Sequence, residues 1–121
     1  AYLDSIDGSA TNNTNTENGT YGPAGNFYLF DWTNAKTLCN TYNTLHLGER
    51  TNWRLATKDE LKKELFGTYN NMFSARGWPA NTYYWSVTPD GSGYYGVDLS
   101  NGYVSSNGPG DTYYASCVSN P

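Results

Sequence analysis

Trp53-Arg54-Leu55-Ala56-Thr57-Lys58-Asp59-Glu60-Leu61 carries the sharpest local signal in the chain. Thr57 and Glu60 have the spacing of a capping box. In it a threonine hydroxyl accepts from the amide three residues on, and the carboxylate there accepts from the threonine's own amide. A helix therefore starts at Thr57, with Trp53-Arg54-Leu55 leading into it. Asp59 and Lys63 sit four apart in the favourable order. Leu61 and Leu65 share a face, Tyr69 continues it, and Gly67 is expected to mark the helix end.

Upstream, Asp31 is placed to cap an earlier helix. Trp32, Ala35, Cys39 and Tyr42 follow at spacings of one helical face. Asn26-Phe27-Tyr28-Leu29-Phe30 reads as a strand, and residues 43–52 as polar loop. Residues 1–25 read as a strand and polar-loop segment ahead of the main domain, residues 26–121. In that segment Tyr2, Leu3 and Ile6 could form a short strand, and Thr11 to Thr20 reads as loop. The whole chain is expected to be one domain.

Downstream the pattern changes to short strands. Tyr83 to Val87 is one, and Tyr94 to Leu99 the next, with Tyr95, Val97 and Leu99 on one face. Pro89 to Gly93 is turn chemistry, and Asn101-Gly102 is a two-residue hairpin signal. Tyr103 to Ser105 pairs back, and Tyr113 to Val118 closes the chain. Two helices followed by an antiparallel meander make an α+β domain.

The 121 residues include 12 Tyr, 4 Trp and 4 Phe, so aromatic rings carry much of the apolar mass and can bury a core. The net charge of −4, with no basic run, argues against nucleic acid and against an anionic membrane as partner. Cys39 and Cys117 are the only cysteines. An even pair in a Tyr/Asn/Thr-rich, Lys-poor domain points to an oxidising compartment. A bridge between them would stabilise by about 4–5 kcal/mol on the chain-entropy account. The alternative is two buried free thiols. Two Cys and one His fall short of a zinc site.

The stretch from Trp53 to Leu61 resembles the Trp-Arg-Leu-Pro-Thr-x-x-Glu-Leu entry to the second helix in lectin-like domains of bacterial surface proteins, with Ala56 in place of the proline. Asn71-Met72, Gly77-Trp78-Pro79, Tyr84-Trp85-Ser86, the run from Val97 to Ser106, and Cys117-Val118 extend the likeness over about residues 27–118. A cysteine in the first helix joined to one in the last strand is similar to the C-type lectin-like fold. The pattern resembles the C-terminal domain of the invasin/intimin adhesins. That branch implies an extracellular domain at the tip of an outer-membrane adhesin, preceded by immunoglobulin-like domains. It would bind a host surface or serum protein, such as a receptor or an immunoglobulin. A sister group, the C-terminal domain of collagen-like bacterial adhesins, is linked to glycosaminoglycans, which the acidic balance here suits poorly.

The sequence departs from two family chemistries. Calcium-dependent lectins use Glu-Pro-Asn or Gln-Pro-Asp in a long loop and then Trp-Asn-Asp, and none of these occurs here. Trp85 leads within a few residues into a tight turn, leaving no room for that loop. Integrin-binding members rely on an aspartate shortly after the first cysteine, where this chain has Asn40-Thr41-Tyr42-Asn43.

Catalytic and metal patterns are weak. His46 lies in a polar loop, and Glu60 and Glu64 lie on a charged helix face. Asp4 and Asp7-Gly8 lack the alternating ligands of a calcium loop. Gly91, Gly93 and Gly96 fall in a hairpin, not between a strand and a helix. No enzyme, cofactor or metal is expected.

Tyrosine doublets are more informative. Neighbours on a strand alternate sides, so if Trp85 is core then Tyr84 should point outward, and some tyrosines must be exposed. Trp32 and Trp53 are assigned to the core. Trp78, Asn81, Tyr83, Asp90, Tyr94, Tyr103 and Asn107 are the candidate contacts to a protein partner, with metal-independent glycan binding as the alternative. A monomer is expected.

Overall fold

A computed structural model describes residues 13–119. The strand expected around Tyr2, Leu3 and Ile6, and the residues Asp4 and Asp7-Gly8, lie outside the described residues. Two antiparallel strands come first, β1 (Asn13–Glu17) and β2 (Gly25–Leu29), paired from Asn13 with Leu29 to Glu17 with Gly25. The expectation of a loop over Thr11 to Thr20 therefore fails at Asn13–Glu17. This strand has no apolar face to read, since backbone pairing to β2 specifies it.

Helix α1 (Trp32–Thr44) begins where expected, with Asp31 accepting from the Asn34 amide at 2.9 Å. Its buried side is Ala35, Leu38 and Cys39. It runs two residues beyond Tyr42, because Asn43 grips the main chain of Trp53: its Oδ1 accepts from Trp53 N at 2.6 Å and its Nδ2 donates to Trp53 O at 3.0 Å. A 3-10 turn, Leu47–Glu49, follows where only loop was expected, and the Leu47 carbonyl accepts from Trp53 Nε1 at 2.9 Å.

Strand β3 (Arg54–Leu55) leads into the capping box as read. Glu60 N donates to Thr57 Oγ1 at 3.1 Å, and Thr57 N donates to Glu60 Oε1 at 2.8 Å. Arg54 adds a two-pronged contact to the same carboxylate at 2.6 and 2.8 Å. That guanidinium, with the two Thr57 hydrogen bonds, pulls the Glu60 carboxyl down to about 2.

The helix is of π type in α2 (Glu60–Phe66) and becomes α-helical in α3 (Gly67–Tyr69). The Gly67 amide donates to Lys62 O, five residues back. This wider winding lets Leu61, Leu65 and Phe66 all pack against one core cluster, while Tyr69 turns outward under the Arg76 guanidinium, 4.7 Å from its ring. Gly67 does not end the helix; Asn70 does, at φ 58°. A further short helix, α4 (Met72–Arg76), is closed by Asn71, which accepts from Phe73 N at 2.9 Å, and by left-handed Gly77.

The main sheet has the order β4-β5-β6, from β4 (Tyr84–Asp90), β5 (Gly93–Val97) and β6 (Val104–Asn107). β4 continues from Tyr84 to Asp90, with a register shift between Trp85 and Pro89, and turns at Gly91, so no long loop follows Trp85. Asn101-Gly102 is not a two-residue hairpin. The connection spans residues 98–103, closed by Gly102 N donating to Asp98 O at 2.7 Å, and the wider loop tucks Leu99 into the core. The closing segment is stitched rather than continuous. Tyr113 bridges to Phe30, Tyr114 bridges to Tyr84, and β7 (Cys117–Val118) pairs with β3.

Tyr84 and Trp85 are both buried, at 4% and 0% exposure, against the expectation that one must face out. β4 lies between two apolar clusters. Tyr84 joins Leu29, Ala56, Leu61, Met72, Val97, Leu99 and Tyr114 on one side. Trp85 joins Phe30, Ala35, Leu38, Cys39 and Leu55 on the other, its Nε1 donating to Phe30 O at 2.7 Å. Trp32 and Trp53, assigned to the core, are half-buried and pack against the margin of this second cluster. Cys39 and Cys117 form the disulfide, with Cα atoms 5.6 Å apart, tying α1 to β7.

Candidate recognition face

Pairing fixes which side chains share a face of the sheet. Trp85 lies opposite Gly96, and Gly96 opposite Ser105. Tyr83, Trp85, Tyr94, Gly96, Tyr103, Ser105 and Asn107 therefore alternate onto one side. Gly96 lets its neighbours approach closely there. A Cβ at that position would lie 2.9 Å from Asn107 Nδ2 and 3.1 Å from Tyr83 Cβ.

Three tyrosines line up on this side. The rings of Tyr103 and Tyr83 are 6.3 Å apart, and those of Tyr83 and Tyr113 are 5.3 Å apart, edge to face. Tyr113 in turn meets Trp85 at 5.0 Å. The row thus runs from exposed to buried: Tyr103 is 61% exposed, Tyr83 and Tyr113 are half-buried, and Trp85 is core. Asn107 braces it from below. Its Oδ1 accepts from the Tyr113 hydroxyl at 3.0 Å and from Ser105 Oγ at 3.3 Å, while its Nδ2 donates to Ser105 O at 3.1 Å. Burial, then the nearby Asp111 carboxylate and Tyr83, push the Tyr113 hydroxyl above its usual value.

Of the seven candidate contacts, Tyr83, Tyr103 and Asn107 are brought together here. Asn107, at 8% exposure, positions the row from within. Tyr94 is stacked flat on Trp32, centroids 3.7 Å apart and 4° between planes, and Trp32 Nε1 donates to Ser86 O at 3.0 Å. Asp90 is at the hairpin end, opposite Gly93. Trp78 packs on Tyr84 at 5.8 Å within the first cluster. Asn81 is exposed, and its amide donates to Glu17 Oε2 at 3.0 Å. Tyr113, adjacent to Tyr114 in one of the tyrosine doublets, is the member that sequence reasoning left out.

Glu17 was also missed. It is 2% exposed, and Oε2 accepts from the Tyr114 hydroxyl at 2.6 Å as well as from Asn81. Asn15 Nδ2 donates to the same hydroxyl at 2.9 Å. Burial, followed by the hydrogen bond to the Glu17 carboxylate, raises the Tyr114 hydroxyl far above the ordinary phenol range. The cluster pins β1 and the loop before β4 to the closing segment.

Among the described residues no group of three or more His, Cys, Asp or Glu is placed to hold a metal ion, and no helix is long and apolar enough to cross a membrane.

No curated protein matches the chain. Among solved structures, the Yersinia pseudotuberculosis adhesin InvE matches with a TM-score of 0.60 and 21% identity, over 80% of this chain and 23% of that one. The chain thus spans less than a quarter of that adhesin, and the likeness is one of fold. It meets the resemblance to invasin-type lectin-like domains read from the Trp53–Leu61 stretch. The family model of the Lcl C-terminal domain matches residues 8–119, nearly the whole chain, and the chain belongs to that family.

Proposed function

We propose that this domain is the recognition tip of a bacterial surface adhesin, and that it binds a host cell-surface or secreted protein through the Tyr103–Tyr83–Tyr113 row. The supporting observation is the row itself: an exposed ring backed by two half-buried rings and a core tryptophan. Rigid aromatic groups with low conformational entropy make strong contact centres. Asn107 and Ser105 hold the row in place before any partner arrives, which lowers the ordering cost of binding. In the full-length protein, immunoglobulin-like domains precede this one and carry it away from the outer membrane.

Pull-down of host surface and serum proteins with the oxidised domain tests the proposal. Capture that survives both chelator and glycosidase treatment of the bait is expected, and a Tyr103→Ala domain is expected to lose it. A second function, metal-independent glycan binding, draws on the flat exposed ring of Tyr103, which can stack on a sugar. Capture lost with glycosidase alone would favour it.

A further inference from the structure

Strand β6 is the outermost strand of the main sheet. The opposite edge, β4, is covered: Trp85 N donates to Tyr114 O at 2.9 Å, Tyr114 N to Tyr83 O at 3.0 Å, and Val87 N to Ala56 O at 2.9 Å. No other segment pairs with β6 among the described residues.

The phase of the β5–β6 ladder decides which groups are free. Asp98 N donates to Tyr103 O at 2.8 Å. Bonded and non-bonded pairs alternate in an antiparallel ladder. The pairs Gly96 with Ser105 and Tyr94 with Asn107 are then bonded, whereas the main-chain N–H and C=O of Val104 and Ser106 point away from β5. The bonding of Trp85, opposite Gly96, outward to Tyr114 keeps the same phase across the sheet.

Native edges are usually blunted by lysine, proline, an inward charge or a bulge. Tyr103-Val104-Ser105-Ser106-Asn107 contains none of these, and its register with β5 is regular. β4, by contrast, carries Pro89 and a register shift.

We infer that β6 is an acceptor edge, to which an extended polypeptide segment carrying Lys or Arg side chains adds as a further strand beside the tyrosine row. This rests on the row being the binding face, and it names the kind of partner the face takes. Outward N–H and C=O groups alternating along an edge are matched by another extended main chain. Side chains of the added strand on the tyrosine side lie next to Tyr103, Ser105 and Asn107. Carboxylates flank both ends: Asp98 opposite Tyr103, and Asp111, which accepts from Gly108 N at 3.2 Å just beyond Asn107. Two ammonium groups near this edge are engaged: that of Lys62 by the Gly102 carbonyl, and that of Lys58 over the ring of Tyr95, on the side of the sheet away from the tyrosine row. A second copy of this chain is the poorer occupant, because each copy carries a net charge of −4.

The test uses the full 121-residue domain and an acetylated, amidated octapeptide of alternating lysine and valine, followed by amide hydrogen exchange. At saturating peptide, exchange at Val104 and Ser106 is expected to slow about tenfold, with Ser105 and Asn107 already protected in the free domain. The same peptide with every amide N-methylated is expected to produce no slowing. No binding, binding without slowing at those two amides, or equal slowing by the methylated peptide overturns the inference. Slowing in concentrated domain without peptide overturns it in favour of self-pairing. Binding to cultured epithelial cells separates this inference from the one beneath it. If Tyr103→Ala abolishes cell binding while a folded Ser106→Pro leaves it intact, the edge is wrong and the face stands. If neither variant changes cell binding, both are wrong.

Discussion

Single residues set the geometry of the face. Gly96 is glycine because the Asn107 amide and the Tyr83 Cβ occupy the space a side chain would need. Gly96→Ala should cost about 1–3 kcal/mol, seen as a lower Tm, because the brace and the row must move apart. Glu60 is the clearest case for pH. Its carboxyl is held down to about 2 by Arg54 and Thr57, so the folded state prefers it ionised. Its contribution is complete above the unfolded value near 4.5 and is lost as pH falls toward 2. Urea titrations at pH 7 and pH 3 should therefore differ less for Glu60→Gln than for the unaltered domain. Thr57→Ala should cost about 1 kcal/mol through loss of the cap. These two residues were legible from spacing alone. Glu17 was not. In a run of Asn and Thr nothing local distinguishes a carboxylate that will be buried, since its partners, Asn81 and Tyr114, are remote in sequence. Tyr114→Phe should cost about 1–3 kcal/mol, because it strips the buried carboxylate of a donor.

Helix starts marked by caps were read correctly, whereas both helix ends and the all-polar strand β1, which distant contacts specify, were not. α1 and the start of α2 follow from Asp31, Thr57 and Glu60. The π winding of α2 has no local signal; it arises because Leu61, Leu65 and Phe66 all reach one cluster. β1 was missed because an all-polar edge strand has no burial pattern to show. Tyr84 and Trp85 defeated the alternation rule because β4 is covered on both sides, which only the arrangement of α1, α2 and the closing segment determines. The row was half legible for a related reason. Tyrosine doublets showed that some rings must be exposed, but Tyr94 found Trp32 and Trp78 found Tyr84, which took both from the candidate face.

At the scale of the whole molecule, the described residues are held by two clusters and one covalent tie. The Cys39–Cys117 bridge closes a loop of 78 positions and joins the first helix to the last strand. Replacing both cysteines with serine should cost about 4.5 kcal/mol on the chain-entropy account, seen as a lower urea midpoint. A domain with so few aliphatic residues depends on that tie to keep the closing segment, and with it Tyr113, against the sheet. Fold and family were legible as a whole because the motifs from Trp53 to Cys117 occur in order. The partner was not, because the face is assembled from residues before β4, on β6 and in the closing segment.

The proposed function rests on the tyrosine row binding the host partner. Flow cytometry of labelled domain on host cells tests it most directly, comparing the unaltered domain, a Tyr83→Ala/Tyr103→Ala double variant, and Tyr69→Ala as an exposed aromatic elsewhere. The double variant should bind at least thirtyfold more weakly, corresponding to about 2 kcal/mol or more at the centre of an interface, while keeping its Tm within a few degrees, and Tyr69→Ala should bind normally. Full binding by a folded double variant would rule the row out as the binding surface.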